Sequence, residues 1–281
     1  MTIDIQSKIV KKLDTQEKEE GSLPLLLQFY RDLVYIQASA EKHIGVPNVI
    51  ISGEAINKRI QRGFPLLGFK SLDIDWKFLQ DVFAKVCAVF ARYTDLFGEL
   101  PEKLKGPGVG RLLTKKVVTA WFNGKPLPQT VLTEYVDNGL VQALIHATLK
   151  PFLASHSKVL TGFIDPENWR RRYCPVCGGA PDFAYLDTER GSRWLLCSRC
   201  DTEWLYKRLE CPYCDTINQD DLLYFTDDEG AYRLYVCEHC KRYLKAVDFQ
   251  KTNNEVLLPL ERFLTLDLDR QAQQKGYVSS T

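Results

Sequence analysis

Cys174-Pro-Val-Cys177, Cys197-Ser-Arg-Cys200, Cys211-Pro-Tyr-Cys214 and Cys237-Glu-His-Cys240 decide the reading of this chain. Each is a C-x-x-C turn, which puts two thiolates on one side of a tight loop where both can bind one ion. Two such turns complete a tetrahedral four-sulfur site. Nineteen residues separate Cys177 from Cys197, and 22 separate Cys214 from Cys237. Either gap accommodates a β-excursion that brings the chain back to its start, the pattern of zinc ribbons and rubredoxin-like modules.

The segment repeats internally. Cys174-Pro-Val-Cys177 matches Cys211-Pro-Tyr-Cys214 at an offset of 37 residues, and Gly191-Ser-Arg193-Trp-Leu-Leu-Cys197 resembles Gly230-Ala-Tyr-Arg233-Leu-Tyr-Val-Cys237. Both halves carry an arginine four residues before the third cysteine and an aromatic residue after the fourth, Trp204 or Tyr243. Two copies of one unit imply one ion each. The expected sets are therefore Cys174, Cys177, Cys197 and Cys200 for one site, and Cys211, Cys214, Cys237 and Cys240 for the other. A cross-braced pairing of the first knuckle with the third is the alternative. His239, between two cysteines, is read as facing solvent.

Four thiolates leave no position for water or substrate, which argues against metal-assisted hydrolysis. They suit zinc or iron equally. Metal binding supplies much of the folding free energy of small domains, so a purely structural role is one reading. Electron transfer at an iron tetrathiolate is another, and dithiol redox chemistry at the C-x-x-C pairs a third. The lone Cys87, in an apolar helical stretch, reads as a small buried hydrophobe.

Working outward, the chain changes character near residue 170. Of its 281 residues 45% are hydrophobic, enough for a sizeable core. The part before 170 reads as helices: a polar, frayed or loosely docked one in 1–20, then Leu25–His43, a helix from Trp76 to Phe97 capped by Ser71, Arg111–Phe122, and Thr130–Leu153. His146 and His156 stand ten residues apart, not at the i, i+4 spacing that chelates on a helix face, and no catalytic set emerges. The expected architecture is an all-α N-terminal domain (1–169), a first rubredoxin-like/zinc-ribbon module (170–209), and a second with a C-terminal helix (210–281). No basic-then-apolar leader opens the sequence and its most apolar early stretch, Leu23–Tyr30, is far too short to span a bilayer, so a cytoplasmic protein without membrane insertion is expected.

Zinc ribbons often bind nucleic acid, and that is the third function class. The formal net charge of the chain is +1, and residues 170–245 hold 12 Lys and Arg against 13 Asp and Glu. Eight metal-bound thiolates against two divalent ions would add −4. Phosphate neutralisation needs the opposite sign. Protein–protein contact fits better, with Arg170, Arg171 and Arg172 ahead of the first knuckle as a candidate patch.

At this point the sequence resembles a known family. Tyr173-Cys-Pro-Val-Cys-Gly-Gly-Ala-Pro181, Gly191-Ser-Arg-Trp-Leu-Leu-Cys-Ser-Arg-Cys-Asp-Thr-Glu-Trp204, Cys211-Pro-Tyr-Cys214, Cys237-Glu-His-Cys-Lys-Arg-Tyr-Leu-Lys245 and the tail Leu266–Tyr277 are similar to the formate dehydrogenase accessory protein family, FdhE. Leu205 departs from the histidine usual there. The resemblance implies a cytoplasmic assembly factor, not an enzyme, that contacts the catalytic subunit of respiratory formate dehydrogenase before export. It implies two metal ions, iron or zinc, one per module. It adds Thr202, Glu203 and Trp204 to the three arginines as candidate partner-binding residues, and leaves self-association open.

Overall fold

The computed structural model describes residues 5–49, 51–130, 132, 137–252 and 255–279. It divides the chain into two compact units: residues 1–47 with 68–155, and residues 48–67 with 156–281.

In the first unit apolar spacing and caps set the helices. They are α1 (Ile5–Glu20), α2 (Leu25–Ile44), α4 (Trp76–Arg92), the single turn α5 (Thr94–Phe97), α6 (Lys115–Phe122) and most of α7 (Asn138–Leu160); α3 (Gly53–Arg62) belongs to the other unit. Phe29 of α2 meets Phe90 of α4 edge-on at 4.9 Å, and Phe97 joins them. Of the two forms expected for the helix in 1–20, α1 takes the docked one: Ile9 and Leu13 are buried, and Arg31 of α2 bridges Asp14 and Glu17. Asp75, not Ser71, caps α4, accepting from the amides of Lys77 and Phe78; Ser71 ends a short 3-10 turn. Tyr93 breaks α4 from α5, so the helix expected to reach Phe97 is two pieces. Thr114 caps α6, so Arg111 precedes that helix. Of the helix expected over Thr130–Leu153, residues 131 and 133–136 lie outside the described residues; α7 is seen from Asn138, passes Pro151 and ends at Leu160. Cys87 is fully buried, as its apolar surroundings suggested, and burial pushes its thiol up to about 12.

The second unit is built on one six-stranded sheet. Its strands are β1 (Pro181–Leu186), β2 (Arg193–Cys197), β3 (Glu203–Tyr206), β4 (Leu222–Thr226), β5 (Tyr232–Cys237) and β6 (Tyr243–Asp248), in the order β3-β2-β1-β6-β5-β4. Each sequence repeat supplies one antiparallel three-stranded half. The halves join through a parallel pair, β1 with β6, from Phe183 opposite Lys245 to Leu186 opposite Asp248. The first strand of one copy thus meets the last strand of the other. The two ribbons share a sheet rather than standing as separate beads.

Alternation along the strands sends Tyr232, Leu234, Val236, Tyr243 and Val247 to one face. Two helices cover it: α8 (Leu258–Leu264) and α9 (Leu266–Gln274), whose Leu258, Leu268 and Ala272 enter its cores with Tyr277 beyond. Buried charge fixes these helices. Lys245 is 4% exposed, donates to Asp269 at 2.5 Å and to the Arg262 carbonyl at 2.8 Å, while Tyr243 donates to the other Asp269 oxygen. Removing one partner of so buried a pair would strand the other.

Candidate metal centres

The four knuckles have one backbone design. In each, the amide of the residue after the second cysteine donates to the carbonyl of the first: Gly178 to Cys174, Asp201 to Cys197, Asp215 to Cys211, Lys241 to Cys237. The amide of each first cysteine in turn donates to the carbonyl five residues on, at Gly179, Thr202, Thr216 and Arg242. That tight reversal requires a left-handed residue, and Gly178, Asp201, Asp215 and Lys241 have φ of +73°, +56°, +58° and +54°. For the three non-glycine residues this costs roughly 1–2 kcal/mol each. The spacing of the cysteines gave no sign of it. Only Gly178 signals a left-handed position by its identity.

The reversals aim eight sulfurs into two groups. Cys174, Cys177, Cys197 and Cys200 form one, and Cys211, Cys214, Cys237 and Cys240 the other, with all sulfurs of a group within 4.8 Å of one another. The pairing is sequential, not cross-braced. Cys174 lies 3.6 Å from Cys200 and Cys177 3.4 Å from Cys197; in the second group Cys211–Cys240 and Cys214–Cys237 are both 3.7 Å. A disulfide needs about 2.05 Å. Four sulfurs about 2.3 Å from a central ion stand ~3.8 Å apart, so the groups fit a tetrahedral ion. Amides are already turned toward the sulfur atoms: Val176 and Cys177 donate to Cys174, Gly179 to Cys177, Arg199 to Cys197 and Tyr213 to Cys211. Crowding by its neighbours, Cys174 first, pushes the Cys177 thiol well up, a state that a cation at the centre would reverse. The chain therefore has two four-cysteine groups that could hold two metal ions. His239 is exposed and outside both groups.

The surroundings differ. All four cysteines of the first group are buried, whereas Cys214 and Cys240 of the second are half-buried. Residues 63–67 pack on the first knuckle: the amides of Leu66 and Leu67 donate to the carbonyls of Pro175 and Val176, and Tyr173 donates to the Gly63 carbonyl. A side chain at Gly178 would come within 3.1 Å of Pro65. Arg262 of α8 ties the second knuckle, binding the Cys197 carbonyl at 2.7 Å, Asp201 at 2.6 Å and Asp182 at 2.9 Å. In the second group, the amide of Val278 donates to the Lys241 carbonyl.

The candidate partner residues separate into surface and interior. Arg170, Arg171, Arg172 and Glu203 are exposed. Arg170 pairs with Glu167, Arg171 stands over the Trp169 ring at 5.6 Å, and Arg172 donates to the Tyr213 carbonyl at 2.6 Å. Tyr185 donates to Glu203 at 2.7 Å. Thr202 and Trp204, expected at a contact surface, are 2% and 1% exposed and act inside the fold. The Thr202 hydroxyl lies 3.0 Å from the Cys200 sulfur and 2.7 Å from Ser157, and the Trp204 indole donates to the Arg171 carbonyl at 2.8 Å. A side chain with no accessible area offers a partner nothing, so this part of the expected patch is corrected.

The first module matches a known family model. Residues 173–208 match the model of the FdhE central domain. The Protein FdhE homolog of Aquifex aeolicus is 28% identical over 262 residues, 90% of this chain and 85% of the relative. The chain is thus similar to FdhE proteins along most of its length. Protein FdhE of Escherichia coli is 29% identical over 140 residues, a match confined to 49% of this chain and 45% of the relative. The crystal structure of the FdhE protein from Pseudomonas aeruginosa shares the fold, with a TM-score of 0.65 over 98% of this chain and 92% of that one at 21% identity. The shared fold takes in the helical part and the ribbon-like modules together. No helix among the described residues is long and apolar enough to cross a membrane.

Proposed function

We propose that this chain is a cytoplasmic accessory factor for the maturation of respiratory formate dehydrogenase, binding the catalytic subunit before export, and not itself an enzyme. The observation that carries this reading is the FdhE central-domain match on the cysteine framework, together with two four-sulfur groups that leave an ion no free coordination position. Each group would hold one iron or zinc ion, its ligands being the four cysteines of its module. The three-part organisation, 1–169, 170–209 and 210–281, is part of the proposal, as is the absence of nucleic acid among the partners. The exposed Arg170, Arg171, Arg172 and Glu203 are the residues offered to the subunit.

Deleting the gene is expected to abolish formate dehydrogenase activity, with the immature catalytic subunit co-purifying with the tagged chain on re-expression. Unchanged activity in the deletion strain contradicts the proposal. A second reading, electron transfer at an iron tetrathiolate, is favoured by the half-buried Cys214 and Cys240. It requires an absorption band that bleaches reversibly on reduction; a colourless protein with two zinc ions rules it out.

A further inference from the structure

The repeated arginines, four residues before the third cysteine of each module, serve neither group of sulfurs as ligands. Register places Arg193 of β2 opposite Tyr206 and Leu186, and Arg233 of β5 opposite Thr226 and Ala246. Both therefore fall on the sheet face turned away from α8 and α9, with Tyr224, Tyr235 and Leu244. A cavity of about 540 Å³ opens on that face. Arg193, Arg208, Arg233 and Arg242 line it, alternating with Tyr213, Tyr224 and Tyr235 and with leucines, and it falls in the size range of small-molecule sites.

The guanidinium groups are held flat by aromatic rings. Arg193 lies between Tyr206 and Tyr235 at 5.3 and 5.6 Å, Arg233 over Tyr224 at 5.4 Å, and Arg242 over Tyr213 at 5.8 Å. Arg193 is 3% exposed, yet its contacts are to the backbone carbonyls of Lys207 and Glu210. The buried Nε atoms of Arg193 and Arg233 and the buried Tyr235 hydroxyl have no hydrogen-bond partner. A buried guanidinium lacking both a carboxylate and full hydrogen bonding is costly, and a charged ligand would offset the cost.

The divergence of the repeat explains the surplus charge. Arg233 is paired with Asp248, eight residues beyond Cys240. Eight residues beyond Cys200, the corresponding position in the first module is Arg208, so the first copy replaces the counter-ion with a second cation. Among the described residues, Arg208 hydrogen-bonds only the Gly191 carbonyl, at 3.2 Å. Glu210 is the acidic residue of the lining, and its carboxylate is engaged by Tyr206 and Lys207. Among the described residues, Arg193, Arg208 and Arg242 have no carboxylate partner.

We propose that this cavity binds a small organic anion bearing a phosphate or carboxylate group, its oxygens held by Arg193, Arg208 and Arg242 and its body lying against the tyrosine rings and leucines. Planar forks matched to both oxyanions are what arginine supplies and lysine does not. The ligand is a small molecule rather than a peptide added to the free edge of β4. Arg193 stands on β2, four strand spacings from that edge, so the charge lies across the face and not along the edge.

The test is calorimetric titration of the full-length, metal-loaded protein with inorganic phosphate, adenosine monophosphate, citrate and a hexaglutamate peptide. Saturable binding of one adenosine monophosphate or citrate per chain is expected, the preferred one naming phosphate or carboxylate as the recognised group. Affinity should fall about tenfold or more in Arg208→Gln/Arg242→Gln, both exposed positions, and about tenfold in Arg193→Lys, which keeps the charge and loses the fork. Metal content should stay at two ions per chain. Four results overturn the proposal: no saturable binding of any small anion, unchanged affinity in the variants, tighter binding of hexaglutamate than of either organic anion, or loss of the second ion from the double variant, which would make these arginines counter-charges of the metal centre.

Discussion

The two modules carry the same knuckles, the same backbone hydrogen bonds and the same strand order, yet one buries all four of its sulfurs and the other leaves two half-exposed. What differs is the packing around them. The first has residues 63–67 against its first knuckle and Arg262 on its second. The second borders the arginine-lined cavity at its buried Cys211 and Cys237 and leaves Cys214 and Cys240 half-exposed. A duplicated metal site is therefore not a duplicated environment. One copy is built into the fold, and the other is left where solvent and ligands can reach it.

The largest effect should come from breaking the enclosed group. Cys177→Ser is expected to lose one ion per chain and to unfold the first module, because ion binding in such a module is of order 10 kcal/mol of folding free energy. Cys240→Ser should also lose one ion, but with a smaller drop in the denaturation midpoint, since its site is less embedded. Metal analysis with thermal unfolding checks both, and equal midpoints would erase the distinction.

Next is Trp204→Ala, which empties a fully buried site in β3 of the first module and should cost about 3–5 kcal/mol. It should speed metal loss from the first group and leave the second unchanged, measured as ion release from Cys240→Ser and Cys177→Ser backgrounds. Arg262→Met, which removes the guanidinium from Asp182 and Asp201, should cost about 3 kcal/mol by chemical denaturation and likewise act on the first group alone.

The smallest effect lies outside both modules and serves as their control. The Arg31 hydrogen bond holds Glu17 below its ordinary value. The unfolded chain then binds more protons than the folded one between the two values. The contribution is complete above about pH 4.3 and fades as pH falls through the folded value. A lowered melting temperature at pH 4 relative to pH 6 should be reduced in Arg31→Met, with metal release unaffected.

The ligand sets were legible because C-x-x-C spacing and the 37-residue repeat encode local loops, and sequential pairing needs only local closure. The helical character of the N-terminal part was legible from apolar spacing, although caps shifted its boundaries: Asp75 rather than Ser71 begins α4 because its carboxylate reaches two free amides. Three features were hidden because they depend on contacts distant in sequence. The parallel β1–β6 junction joins unlike strands of the two copies, which a repeat cannot specify. Residues 48–67 pack with the metal half although they sit among helices in the sequence. The charge at Lys245 gave no sign that it would be buried under α8 and α9, and Trp204, placed with the partner residues by the resemblance, is buried in the fold. The arginines at equal positions in both repeats were visible in the sequence, but their convergence in one cavity was not.

The most direct test of the inequivalence is chelator-driven metal release from the intact, anaerobically purified protein, followed by quantitative metal analysis. Two ions per chain should leave in two separated phases, the first phase vanishing in Cys240→Ser and the slow phase in Cys177→Ser. A single phase, or one in which the Cys177 group empties first, would contradict the account.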